Sequence, residues 1–203
     1  MNHRISGKHK TSKSKQHRSK KLPLTIGLLA IITVVIAVYY VFGQTGSNSP
    51  SGNKVLLQTT MGNVTIQLRD DMPITTGNFK KLVEQGVYDG TIFHRVIAGF
   101  MIQGGDPTGT GYGDPSIPNI KDEFTSNNHN NRGTIAMANS GPNTGSSQFF
   151  INVIDNNYLD AKHPVFGTVT SGMDVVDAIS KVTTDSNNKP VTNVTIIKAE
   201  IIN

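Results

Sequence analysis

Hydrophobic positions set a short period at the start of the chain's long C-terminal part. The run Val55-Leu56-Leu57-Gln58-Thr59-Thr60, the turn-forming Met61-Gly62-Asn63 and the run Val64-Thr65-Ile66-Gln67-Leu68 predict two strands joined as a hairpin. The period then lengthens. Pro73-Ile74-Thr75-Thr76 can start a helix, Phe79, Leu82 and Val83 follow at 3–4 spacing, and Gly86 stops it. A second helix is expected over residues 173–182. The remaining apolar runs are short and broken by Gly, Asn and Pro, at residues 91–97, 100–103, 134–138, 148–153, 165–170 and 194–202. A mostly β domain with two helices points to a closed barrel.

The N-terminal quarter follows another pattern. Residues 22–42, LPLTIGLLAIITVVIAVYYVF, are uncharged, and at about 1.5 Å per residue they are long enough to cross a bilayer. Before them, residues 1–21 carry Arg4, Lys8, Lys10, Lys13, Lys15, Arg18, Lys20 and Lys21 with no Asp or Glu, a net +8. Cations on one flank and Tyr39, Tyr40 and Phe42 at the other match the positive-inside rule and an interfacial aromatic belt. The expected arrangement is a single-pass protein of the cell membrane, with a cytoplasmic tail and the C-terminal domain outside. A secretory signal is the alternative, with Val41-Phe42-Gly43 as a poor cleavage site and a secreted product. A short anchor ahead of a compact domain also looks bacterial.

Charge segregation changes the reading of the basic composition. The 11 remaining cations face all 14 carboxylates, so the chain after Lys21 sums to −3. That argues against a nucleic-acid partner, whose binding surface should carry cations on folded structure. Residues 43–53, GQTGSNSPSGN, form a flexible linker, and the domain spans 54–203. With no cysteine, its stability must come from packing.

Two dense stretches carry candidate chemistry: FHRVIAGFMIQGGD at residues 93–106 and MANSGPNTGSSQFFI at residues 137–151. With YLDAKHPVFG at residues 158–167, they resemble, in order and spacing, three blocks of the cyclophilins, which are peptidyl-prolyl cis-trans isomerases. The likeness covers residues 54–203. It implies an eight-stranded closed β-barrel capped by two α-helices, with a groove for proline-containing polypeptides on its outer face. It also implies Arg95 as the catalytic cation and Phe100, Met101, Phe150 and Leu159 as the proline pocket. Gln103, Ala138, Asn139, Gln148 and His163 would complete the substrate-binding set. Tyr158, a further member, stands where many eukaryotic cyclophilins carry a Trp that helps bind cyclosporin, so only weakened binding of that drug is expected. Ala98 replaces a frequent proline in the connection before Gly99-Phe100, with little effect expected on catalysis.

Neither cofactor nor metal is called for, because rotation about an amide breaks no covalent bond. His94, His129 and His163 are far apart in sequence and no cysteine joins them. The Gly-rich residues 104–114 lack the Gly-Lys-Ser/Thr ending of a P-loop and read as a flexible loop beside the groove. Ser146 or Ser147 with His163 and Asp160 could supply a hydrolase triad, but no Gly-x-Ser-x-Gly elbow supports it. A proline-binding module or chaperone that uses the same groove without turnover is the rival from another class.

Overall fold

The structure is a computed structural model that describes residues 52–203. The expected tail (1–21), span (22–42) and nearly all of the linker (43–53) lie outside these residues. Among the described residues no helix is long and apolar enough to cross a membrane.

Strands β1 (Lys54–Thr59) and β2 (Gly62–Leu68) form the expected hairpin. Period-two alternation buries Val55 and Leu57 from one strand and Val64, Ile66 and Leu68 from the other. Thr59 pairs with Gly62, so the turn is Thr60-Met61, slightly earlier than the Gly/Asn position expected. The Thr59 hydroxyl stabilises it by donating to the Gly62 carbonyl and accepting from Met61 N–H.

Helix α1 (Pro73–Glu84) begins on its proline and buries Thr75, Thr76, Phe79, Leu82 and Val83 on one face. Gly86, at φ 69°, ends it: Gly86 N–H donates to the Val83 carbonyl and Val87 N–H to that of Leu82. This is the Schellman pairing that satisfies the last free carbonyls of a helix. Helix α2 (Met173–Ile179) buries Val176 and Ile179. It ends three residues sooner than expected, because Lys181 and Val182 continue only as i→i+3 turns.

The other strands are β3 (Arg95–Ile97), β4 (Met101–Gly104), β5 (Thr134–Met137), β6 (Phe149–Asn152), β7 (Val165–Ser171) and β8 (Ile196–Ile202). The sheet order is β3-β4-β6-β5-β7-β2-β1-β8, with every pairing antiparallel. Among the described residues the numbers of strands and helices agree with those expected for the domain, whereas full closure does not. No ladder joins β3 to β8. They meet at a seam, where Ile92 bridges singly to Asp106 and Thr195, and Phe93 N–H donates to the Val194 carbonyl at 3.0 Å. The strand expected over 91–97 is therefore regular only from Arg95.

The interior holds Phe79, Tyr88, Phe93, Phe149 and Phe166, all fully buried. Phe79 lies 5.0 to 5.6 Å, centroid to centroid, from Tyr88, Phe149 and Phe166. Burial pushes the Tyr88 hydroxyl's pKa well above its ordinary value, and that hydroxyl donates to the Ser147 carbonyl. Strands β5 and β6 are buried on both faces. Ile135, Met137, Phe149 and Ile151 join the interior, while Ala136 and Phe150 join Met101 and Val165 in a second apolar cluster. Alternation along β4, β5 and β6 thus builds a second packed surface on the sheet's outer face, and that surface carries the candidate site.

Candidate active site

Arg95 opens β3 opposite Gln103 of β4, and Gln103 lies opposite Phe150 of β6. Three adjacent strands therefore present a cation, an amide and an aromatic ring side by side. The Ile97-Ala98-Gly99-Phe100 turn is closed by Phe100 N–H donating to the Ile97 carbonyl, with Gly99 at φ 67°. Ala98 is exposed in that turn and does not line the cavity. Leu159 and His163 come from a 3-10 turn (Asn157–Leu159) and the bend after it, where both Lys162 and His163 N–H groups donate to the Leu159 carbonyl.

These parts enclose a cavity of about 240 Å³ lined by Arg95, Phe100, Met101, Gln103, Ala138, Asn139, Phe150, Leu159 and His163. Its lining is mixed: Phe100, Met101, Ala138, Phe150 and Leu159 are apolar, and Arg95, Gln103, Asn139 and His163 are polar. Arg95 Nη1 donates to Gln103 Oε1 at 3.2 Å, and the guanidinium carbon sits 5.9 Å from the centre of the Phe100 ring. Gln103 Nε2 donates to Gln148 Oε1 at 3.0 Å, and Gln148 Nε2 to the Gly111 carbonyl at 3.1 Å. The guanidinium is thus held by a chain of two amides anchored on main chain. His163 Nδ1 donates to the Met137 carbonyl at 3.0 Å, and its ring meets Phe150 edge-on at 5.3 Å.

Two of the expected substrate-binding residues stand apart from this cavity. Tyr158 is 68% exposed and stacks on Phe100 at 6.3 Å, forming the rim rather than the lining. Gln148 lines the neighbouring cavity of about 620 Å³, which shares Gln103, Ala138 and Asn139 with the first.

Residues 111–115 line that second cavity, and the Gly-rich loop at 104–114 to which they belong is tied by hydrogen bonds to one carboxylate. Asp106 is fully buried and accepts hydrogen bonds from the N–H groups of Thr108, Gly111 and Gly113. Burial raises its pKa, but these bonds and the Thr108 hydroxyl outweigh burial and hold the carboxyl below its ordinary value. Gly105 is required at the loop's start: its φ is 80°, and a Cβ there would stand 2.7 Å from the Ser147 carbonyl oxygen. Behind the loop, His94 is buried with neither ring nitrogen partnered.

The hydrolase constellation does not assemble. Ser147 Oγ is buried without a partner, His163 Nδ1 is bound to main chain, and the Asp160 carboxylate is taken up by Asn130 and His129. Among the described residues no three of His, Cys, Asp and Glu gather as a metal site would need.

Residues 54–201 match the family model described as cyclophilin type peptidyl-prolyl cis-trans isomerase/CLD. The chain belongs to the cyclophilins. The "Peptidyl-prolyl cis-trans isomerase ppi1" of Schizosaccharomyces pombe is 49% identical over 149 residues, 71% of this chain and 96% of that protein. The "Peptidyl-prolyl cis-trans isomerase-like 1" of Neurospora crassa is 46% identical over 152 residues, 73% of this chain and 93% of the relative. A crystal structure of a cyclophilin type peptidyl-prolyl cis-trans isomerase from Cryptosporidium parvum superposes with TM-score 0.72 at 33% identity, covering 75% of this chain and 98% of that one. A second structure of that Cryptosporidium parvum protein, with TM-score 0.71 and 33% identity, was determined in the presence of the dipeptide Ala-Pro and covers 74% of this chain and 99% of that one. This cyclophilin is accordingly a peptidyl-prolyl cis-trans isomerase.

Sequence reasoning missed the buried asparagines beneath this groove. Asn128, Asn130, Asn152 and Asn156 are each at most 6% exposed. Their signal was available: asparagine is dense at residues 127–131 and again at 152–157.

Proposed function

We propose that Arg95 is the catalytic group and that the cavity beside it holds the proline ring of an X–Pro bond. The observation that carries this is a guanidinium held by Gln103 in the lining of a cavity of about 240 Å³ that it shares with Phe100, Met101, Phe150 and Leu159. An amide resists rotation because its nitrogen lone pair is delocalised into the carbonyl, giving a barrier of about 18–20 kcal/mol. As the bond twists, the prolyl nitrogen recovers that lone pair and becomes a hydrogen-bond acceptor. Arg95 then donates to it, an interaction stronger in the twisted state than in the planar one, and only that difference accelerates the reaction.

One charge-assisted hydrogen bond contributes about 1.5–3 kcal/mol, whereas an acceleration of roughly 10⁶ requires about 8 kcal/mol. The remainder falls to positioning and desolvation. Phe100, Met101, Phe150 and Leu159 grip the ring, while Gln103 and the Asn139 main chain hold the flanking peptide. The tail at 1–21, the anchor at 22–42 and the linker at 43–53 then place the domain of residues 54–203 outside a cell membrane, where it acts on exported proteins. Signal cleavage with release of the domain is the alternative. The relatives named above from Schizosaccharomyces pombe and Neurospora crassa are fungal, so a bacterial source rests only on the N-terminal arrangement.

The test is a protease-coupled assay on an X–Pro peptide with the full chain. Uncatalysed exchange takes about 10–100 s. The wild-type chain should abolish that slow phase, and Phe150→Ala should raise KM several-fold. A slow phase left unchanged by a chain that still binds the peptide would favour the proline-binding module. For cyclosporin, inhibition should be weak, and Tyr158→Trp should strengthen it, since the larger ring would extend the stack on Phe100. An inhibition titration unchanged by that substitution would remove Tyr158 from the account.

A further inference from the structure

Leu159 and His163 lie outside every strand, yet they form one side of the proline cavity, and Phe100, in the β3–β4 turn, forms another. No ladder ties the segment that carries Leu159 and His163 to that turn. Two main-chain bonds, Val153 N–H to the Phe100 carbonyl and Asn156 N–H to the Asn130 carbonyl, and a run of buried carboxamides do so. Asn156 Nδ2 donates to the Phe100 carbonyl at 3.0 Å and to Asn152 Oδ1 at 2.8 Å. Asn152 Nδ2 donates to Asn130 Oδ1 at 3.2 Å and to the Thr134 hydroxyl at 2.9 Å. Asn130 Nδ2 donates to Asp160 Oδ1 at 3.2 Å and to the His163 carbonyl at 3.3 Å.

Each amide group spends both its hydrogens, and the chain runs in one direction from Asn156 to Asn130. Turning any amide over would set its oxygen against the oxygens its hydrogens now meet. An unsatisfied buried polar group costs about 1–3 kcal/mol, so the chain admits one arrangement. All three residues are at most 1% exposed, which keeps competing water out. Apolar contacts would hold the same segments together without fixing direction, because burial is non-directional. Asn128 adds a parallel tie, donating to the His163 carbonyl and accepting from Val165 N–H.

We propose that Asn130, Asn152 and Asn156 are positioning residues for isomerisation, an amide chain that holds the Phe100 side and the His163 side of the cavity at a fixed separation. The proposal rests on the reading of the Arg95 groove as the place of turnover. A rotating X–Pro bond has to be gripped on one side while the other swings, and small misplacements of the grip cost rate far more than they cost affinity. The chain contains no titrating group among its three amides, so its effect should not vary with pH.

The test compares kcat and KM, measured on the full chain at a temperature where every variant is folded. Asn156→Leu keeps roughly the size, removes both donors and adds no titrating group, and Asn156→Ser is the second choice should the first not fold. Val176→Ala, in α2 and away from the cavity, serves as a control with a lowered melting temperature. The expected result is a loss of at least tenfold in kcat for the Asn156 variant with KM within about twofold of wild type, the same at pH 6.5 and pH 8. Val176→Ala should keep the wild-type kcat. Wild-type kcat in the folded Asn156 variant, or an equal kcat loss in Val176→Ala, would overturn the proposal. Either outcome leaves the Arg95 reading intact, which fails separately if Arg95→Ala retains full activity.

Discussion

His94 neighbours Arg95 in sequence yet has a different part in the molecule. Its ring is buried against the Gly111 turn, where a Cβ on Gly111 would stand 3.3 Å from its Cδ2. Burial holds its pKa below 6.5. The Asp106 carboxylate pulls it upward, while Lys189 and Arg95 add to the depression. The unfolded chain's histidine takes up a proton below pH 6.5 and the folded one resists, so acidification favours unfolding. This contribution to stability is present above pH 6.5 and is lost as pH falls through the lower folded value. The melting temperature should therefore drop between pH 7.5 and pH 5, and His94→Gln should flatten that part of the profile. A parallel profile in the variant would remove His94 as the cause.

Among the elements, α1 shows how far local pattern reaches. Its proline start, its apolar face and its glycine stop were all legible, because each is a short-range rule acting on neighbouring residues. Gly86→Ala should cost about 1 kcal/mol or more, since alanine at φ 69° is strained. Thermal denaturation checks this, and an unchanged midpoint would mean that the Schellman turn had rearranged. Strands β1, β2 and β4 to β8 fell close to their expected places for the same reason. The β3 segment did not, because Ile92 must bridge to two neighbours at the seam, and that demand comes from closure rather than from residues 91–97. The cavity lining was readable only through resemblance. Phe100, Met101, Phe150 and Leu159 look like ordinary core residues, and alternation on a sheet buried on both faces cannot say which side faces a ligand. The asparagine chain was hidden more deeply, since short amides have no period and their partners lie up to 56 residues away.

At the scale of the molecule, chemistry and charge occupy different stretches. The family match begins at residue 54, after the eight cations and the apolar run. A fragment of residues 54–203 should keep the full chain's kcat/KM and fractionate with soluble protein, whereas the full chain should sediment with membranes. Activity lost with the N-terminal segment would contradict that division. Stability rests on the aromatic interior: Phe79→Ala should cost about 3–5 kcal/mol, read from the denaturation midpoint, because Phe79 touches rings from three other parts of the chain. The central claim is that a fixed guanidinium lowers the barrier to X–Pro rotation. Exchange NMR on an X–Pro peptide at saturating concentration, with equal amounts of folded wild-type and Arg95→Ala protein, tests it most directly. The account predicts cis–trans exchange at least 100-fold slower in the variant, with the equilibrium ratio of isomers unchanged. Exchange as fast as wild type in a folded Arg95→Ala chain would contradict it.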